Sequence, residues 1–144
     1  MFRHILVPTD GSDMSLRAAA AAIELARQTQ ASLVTVTVVE PYAYASLSEF
    51  QPETIIEYEQ RSEAMAATRV KAVESLAVAA GVPVTTCVAK SFSVYEAIID
   101  TATNESCDAI FMASHGRRGI QALLLGSETQ KVLTHCQLPV VVFR

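Results

Sequence analysis

The chain has 144 residues, 51% hydrophobic and 18% charged, the profile of one globular domain rather than a disordered chain. Its formal net charge is −4, and no cationic run exceeds the pair Arg117-Arg118. That balance argues against nucleic-acid binding, which needs a clustered basic face.

In chain order, His4–Pro8 reads as a short apolar strand, followed by the turn-like Thr9-Asp-Gly-Ser-Asp13. A helix is predicted from about Met14 to Gln28, with Leu16, Ala19, Ala20, Ile23 and Ala26 as its inward stripe. Leu33–Val39 is β-branched and almost continuously apolar, as in a strand covered on both faces. Glu40–Gln51 reads as a loop carrying Tyr42, Tyr44 and Phe50. These rings are expected to pack on the following helix rather than form a flap over a ligand.

That long helix is predicted from about Glu53 to Ala80, with Glu57 and Arg61 as an i, i+4 pair and Gly81 and Pro83 ending it. Val84–Val88 is a third strand, and Ser93-Val-Tyr-Glu96 reads as a capping box opening a helix to about Glu105. Val94, Ala97, Ile98 and Thr101 are its expected inward face. Then come a buried strand at Ala109–Ala113, a glycine-bearing loop, a helix at Ser127–Cys136 and a closing strand at Pro139–Phe143. Strands alternating with helices predict a single α/β domain over 1–144, built as a doubly wound, mostly parallel five-stranded sheet. An order of 3-2-1-4-5 would open a crevice beside the ends of strands one and four.

The loop after the fourth strand carries the chemistry. Gly126 stands just outside a helix that Ser127 is placed to cap, so free amides and the helix dipole converge where an anion can sit. The loop is neither a P-loop nor a G-x-G-x-x-G fingerprint. From spacing alone, two readings stay open: phosphate binding, and glycines that serve turn and cap geometry only.

The residues Ala113-Ser-His-Gly116, nine more, then Gly126-Ser127 resemble the G-x-x-G, nine residues, G-[S/T] pattern of nucleotide-binding universal stress proteins. Ile5-Leu-Val-Pro-Thr-Asp-Gly-Ser12 resembles that family's opening strand and turn, Leu123–Thr129 its phosphate-side helix start, and Leu138–Phe143 its closing strand. The resemblance implies a Rossmann-like fold and bound ATP with Mg²⁺ or Mn²⁺ held mainly by phosphate oxygens and water. It places Asp10 on the ribose or metal side, Val38 at the adenine through backbone groups, and Gly116, Gly126 and Ser127 at the phosphates. Thr9, His115 and Ala113 complete the implied binding set. Ala113 departs from the pattern, standing where the first glycine belongs. A left-handed backbone there would cost on the order of 1 kcal/mol; otherwise the methyl merely crowds the ligand. Asp10 has a plainer role open to it, accepting turn amides together with Ser12 or Asp13.

His4, His115 and His135 have no metal-ligand spacing, and Cys87, Cys107 and Cys136 are expected as buried, reduced, small apolar residues. No secretory leader and no apolar stretch of membrane-spanning length is apparent, so a cytoplasmic setting is expected. The resemblance implies a nucleotide-dependent regulator or sensor, with an unidentified protein partner and a homodimer formed partly through 139–143. Occupancy would order the loop from Ser114 to Leu125. Two other readings stay open: a dimeric interaction module without nucleotide, which Ala113 favours, and a slow ATPase, which the missing general base disfavours.

Overall fold

The structure is a computed structural model that describes residues 1–43, 53–116 and 125–144. Five strands, β1 (His4–Pro8), β2 (Ser32–Val39), β3 (Val84–Lys90), β4 (Ala109–Ala113) and β5 (Val140–Phe143), form one sheet in the order β3-β2-β1-β4-β5. Every pairing is parallel. Four helices make the crossovers: α1 (Asp13–Thr29), α2 (Ile55–Ala79), α3 (Val94–Asn104) and α4 (Ser127–His135). The predicted fold class and strand order are those observed.

Strand alternation divides the interior. Ile5, Val7, Leu33 and Phe111 pack beneath α1 and α2, while Leu6, Val34, Val36, Ile110 and Met112 pack beneath α3 and α4. Both faces of β1 and β2 are thus buried, which explains why their sequences lack polar alternation.

The α1 stripe lies slightly off the expected one. Ser15, Ala18, Ala19, Ala22, Ile23 and Ala26 are buried, whereas Ala20 is exposed and Leu16 half-buried at the margin. Alanines along 18–22 carry no amphipathic contrast, so the sequence could not phase the helix there. The α3 face is as expected apart from half-buried Val94, with Ala102 added to the buried set.

Two local pairings differ from expectation. Arg61 does not pair with Glu57; it bonds Glu53 twice, at 2.8 and 3.0 Å. Glu57 occupies the third helical position and reaches back to the Thr54 amide, closing a capping box at the α2 start. Ser93, the expected capping-box residue of α3, makes no side-chain cap bond. Gly81 does end α2 as expected, with φ 71° beyond the Ala80 cap. Tyr42 packs edge-on against Tyr58 of α2, centroids 5.4 Å apart, whereas Tyr44 and Phe50 lie outside the described residues.

Cys107 is buried, but Cys87 and Cys136 are only half-buried, since β3 is an edge strand and Cys136 sits where α4 ends. Burial first, then the Glu105 and Asp108 carboxylates, push the Cys107 thiol up to about 12. Among the described residues, no helix is long and apolar enough to cross a membrane.

Candidate nucleotide site

The crevice opens where strand pairing stops. β1 and β4 are joined through Ile5–Ala109 and Leu6–Ile110 only, so the two strands part before either ends. This is the point at which the winding direction of the sheet reverses.

On the β1 side, Thr9 is buried and its hydroxyl serves the turn, accepting the Gly11 amide at 3.1 Å and lying 3.1 Å from the Ser15 hydroxyl. Asp10 Oδ1 accepts the Ser12 amide at 2.9 Å. Ser12 in turn caps α1 by accepting the Ser15 amide at 3.2 Å. Gly11 takes φ 77°, a conformation costly for any residue with a side chain. Asp10 therefore takes the turn role that its sequence position left open. One oxygen fixes the turn; the other faces the β4 loop.

It faces Gly116. A Cβ built on Gly116 would collide with Asp10 Oδ2, so glycine here is what lets the two loops meet. Behind Gly116, Ser114 ties three elements together. Its amide donates to Phe143 O at 2.6 Å, its carbonyl accepts the Gly126 amide at 2.7 Å, and its hydroxyl lies 3.0 Å from His115 Nδ1. Sequence reasoning passed over Ser114, which occupies a variable position of the motif.

Gly126, not Ser127, is the N-cap of α4, and Ser127 is the first helical residue. A side chain on Gly126 would come 3.1 Å from His115 Cα and 3.2 Å from Ser114 O. Glycine thus favours close packing of α4 onto the β4 loop, whatever else it offers a ligand. The first α4 amide with a backbone acceptor in its own helix turn is Gln130, bonded to Gly126 O at 3.0 Å. The amides of Ser127, Glu128 and Thr129 precede it and make the helix N-terminal donor set.

Val38 lies across the crevice. Ser32 bonds Arg3 and Val36 O accepts from Thr9, so even-numbered β2 residues direct backbone groups toward β1. Val38 continues that series past Pro8, the last residue of β1 in register, so its amide and carbonyl face the mouth of the crevice. Ala113 is the last residue of β4, paired with Phe143, and does not have positive φ. Its methyl can therefore crowd a ligand but stores no left-handed strain. Ala113→Gly is expected to cost about 0.5–1 kcal/mol in thermal or denaturant stability, while nucleotide affinity holds or tightens modestly. A marked loss of affinity in titration would contradict that assignment. Arg117, Arg118, Gly119 and the rest of 117–124 lie outside the described residues.

Across residues 1–144 the sequence matches the universal stress protein family. The chain belongs to that family. It is 33% identical over 144 residues to a universal stress protein of Thermus aquaticus, covering all of both chains. To universal stress protein MJ0531 of Methanocaldococcus jannaschii it is 32% identical over 147 residues, covering 100% of this chain and 83% of that protein. Its fold matches the solved structure of MJ0577, from the same archaeon, with a TM-score of 0.82 at 25% identity, covering 99% and 95% of the two chains. Two nucleotide complexes share the fold more distantly. A universal stress protein bound to cAMP gives a TM-score of 0.73 at 23% identity, covering 99% and 97%. A universal stress protein of Archaeoglobus fulgidus bound to dAMP gives 0.69 at 18%, covering 99% and 98%.

Proposed function

We propose that this universal stress protein binds ATP together with Mg²⁺ or Mn²⁺ in the β1–β4 crevice, and that occupancy regulates its engagement of a protein partner in the cytoplasm. The observation that carries the reading is the meeting of Asp10 and Gly116 beside the α4 start, at the point where β1 and β4 stop pairing. The triphosphate would lie on the amides of Ser127–Thr129, with Gly116 and Ser127 beside it and His115 and Ala113 at its edge. Val38 would meet adenine through its backbone, and Thr9 would hold the turn that presents Asp10.

The charges decide the need for a cation. About four negative charges on the ligand would approach the Asp10 carboxylate, and two like charges 4 Å apart repel by about 1–4 kcal/mol between water and a surface dielectric. A hard divalent ion favours oxygen donors, and Asp10 with phosphate oxygens offers them. Among the described residues, no group of three His, Cys, Asp or Glu side chains gathers that could cage a metal. Phosphate oxygens and water would therefore supply most of the coordination. Family members solved with cAMP and dAMP support an adenine nucleotide as the ligand class.

The same reading includes a homodimer through 139–143. β5 is a sheet edge whose four residues are each half-buried within a single chain, a surface suited to covering by a second copy.

Titration calorimetry with ATP and Mg²⁺ is expected to give saturable heats, with affinity falling at least about tenfold in excess EDTA. AMP and cAMP are expected to bind more weakly than ATP. A flat titration, with no nucleotide released on heat denaturation of the purified protein, would overturn the reading.

A further inference from the structure

The start of α3 is capped from another helix. Ser93 contributes no cap bond, and the Tyr95 amide instead donates to Glu128 Oε2 of α4 at 2.9 Å. Glu128 Oε1 takes Lys131 Nζ at 3.1 Å, and that ammonium also stands 5.7 Å from the Tyr95 ring centroid. The His135 ring lies 5.1 Å from the Tyr95 ring, adding a second contact between the same two helices.

The position of Glu128 gives this arrangement a consequence. It is the second residue of α4, within the three-amide set that the nucleotide reading assigns to phosphate. A carboxylate there would ordinarily turn toward its own helix N-terminus, where the dipole favours it, and compete with an anion for the same donors. Here both of its oxygens are engaged away from that position. The loop before α3 leaves β3 by one more ladder bond, the Ser91 amide donating to Val39 O at 3.0 Å. The start of α3 is fastened to α4 at Glu128, one residue from Ser127.

Resting on the nucleotide reading above, we infer that Glu128 is a positioning residue that couples phosphate occupancy at α4 to the order of the first turn of α3. A phosphate on the Ser127–Thr129 amides fixes the turn that carries Glu128, and its negative charge favours the carboxylate's outward orientation. Both effects hold the acceptor in place over the Tyr95 amide. The signal reaches the first turn of α3 through the Tyr95–Glu128 hydrogen bond.

Hydrogen exchange of the full chain, followed by mass spectrometry with and without Mg·ATP, tests this. In the wild-type protein, ATP is expected to slow exchange across 93–98 by about threefold or more, on the scale of one helix cap. Glu128→Gln keeps an acceptor oxygen for the Tyr95 amide and is expected to retain the ATP-dependent slowing. Glu128→Ala is expected to exchange faster there without ligand and to lose the ATP-dependent part. A cap with no link to the ligand would instead give the same baseline change and no ATP-dependent difference in any of the three proteins. Wild-type titration heats with unchanged exchange at 93–98 would overturn the coupling alone, as would slowing by ATP that persists in Glu128→Ala. A flat wild-type titration would overturn the nucleotide reading and the coupling with it.

Discussion

Replacing Gly116 with alanine is expected to lower stability by about 1–2 kcal/mol and to weaken ATP binding by more than tenfold. The added methyl falls on Asp10 Oδ2, and that carboxylate has little freedom to retreat. Its other oxygen holds the Ser12 amide at 2.9 Å, and Ser12 caps α1, so displacement of Asp10 is passed to the start of a helix packed on the core. Asp10→Ala alone should cost about 1 kcal/mol through the lost turn bond. Combining the two should cost less than their sum, because removing the carboxylate removes the collision. Denaturant unfolding of the four proteins measures that coupling, and strict additivity would show that the two loops do not meet. The double variant should recover stability yet remain weak for ATP, since the proposed reading gives Asp10 a place in the cation's coordination. That separates the architectural role of the contact from its role toward a ligand.

How far the sequence predicted this site depended on how local each device is. The strands were legible because β1, β2 and β4 are short apolar runs between turn residues, and burial on two faces requires that composition. The glycines of the β4–α4 loop marked the junction of β4, α4 and the Asp10 turn, but the packing at Gly126 was not legible. Its Cβ direction points at His115 and Ser114, and only three-dimensional packing shows that. Asp10 was readable as either a turn residue or a ligand contact, and its two oxygens allow both.

The misread caps have a common physical origin. Ser93-Val-Tyr-Glu96 has the composition of a capping box, but a capping box also requires Ser93 to turn its hydroxyl onto the helix. Ser91 Oγ accepts the Ser93 amide at 3.0 Å and shapes the loop differently, while Glu128, 33 residues beyond Tyr95, takes over at the helix start. Thr54 and Glu57 do form such a box, although the sequence assigned Glu57 to Arg61. A carboxylate on a helix surface has partners before and after it, and propensity does not rank them. Glu53, just outside the helix, completes the choice by offering Arg61 two oxygens.

The largest expected effect follows from Gly126→Val, which should remove ATP binding while leaving a folded dimer. The Gly126 backbone, at φ −62° and ψ 153°, is open to any residue, so the penalty is steric rather than conformational. A Cβ would lie 3.1 Å from His115 Cα and 3.2 Å from Ser114 O, and those neighbours cannot rotate aside as a side chain would. Ser114 is held in turn by the Phe143 carbonyl at 2.6 Å, so the strain falls on α4. Shifting α4 breaks the Gly126–Ser114 bond and draws the Ser127–Thr129 amides off the crevice. The cost in stability should be about 2–3 kcal/mol, from overpacking and a strained buried hydrogen bond. Both apolar cores lie mainly below this junction, along β1, β2 and β4, so folding and the β5 edge should survive. Sedimentation equilibrium is expected to give two chains, circular dichroism the wild-type spectrum, and calorimetry no heat with Mg·ATP. Gly126→Ala, lacking the two γ-methyls, should retain partial affinity. Wild-type heats from Gly126→Val would mean that α4 can move without disturbing the ligand, and the phosphates would then have to lie elsewhere.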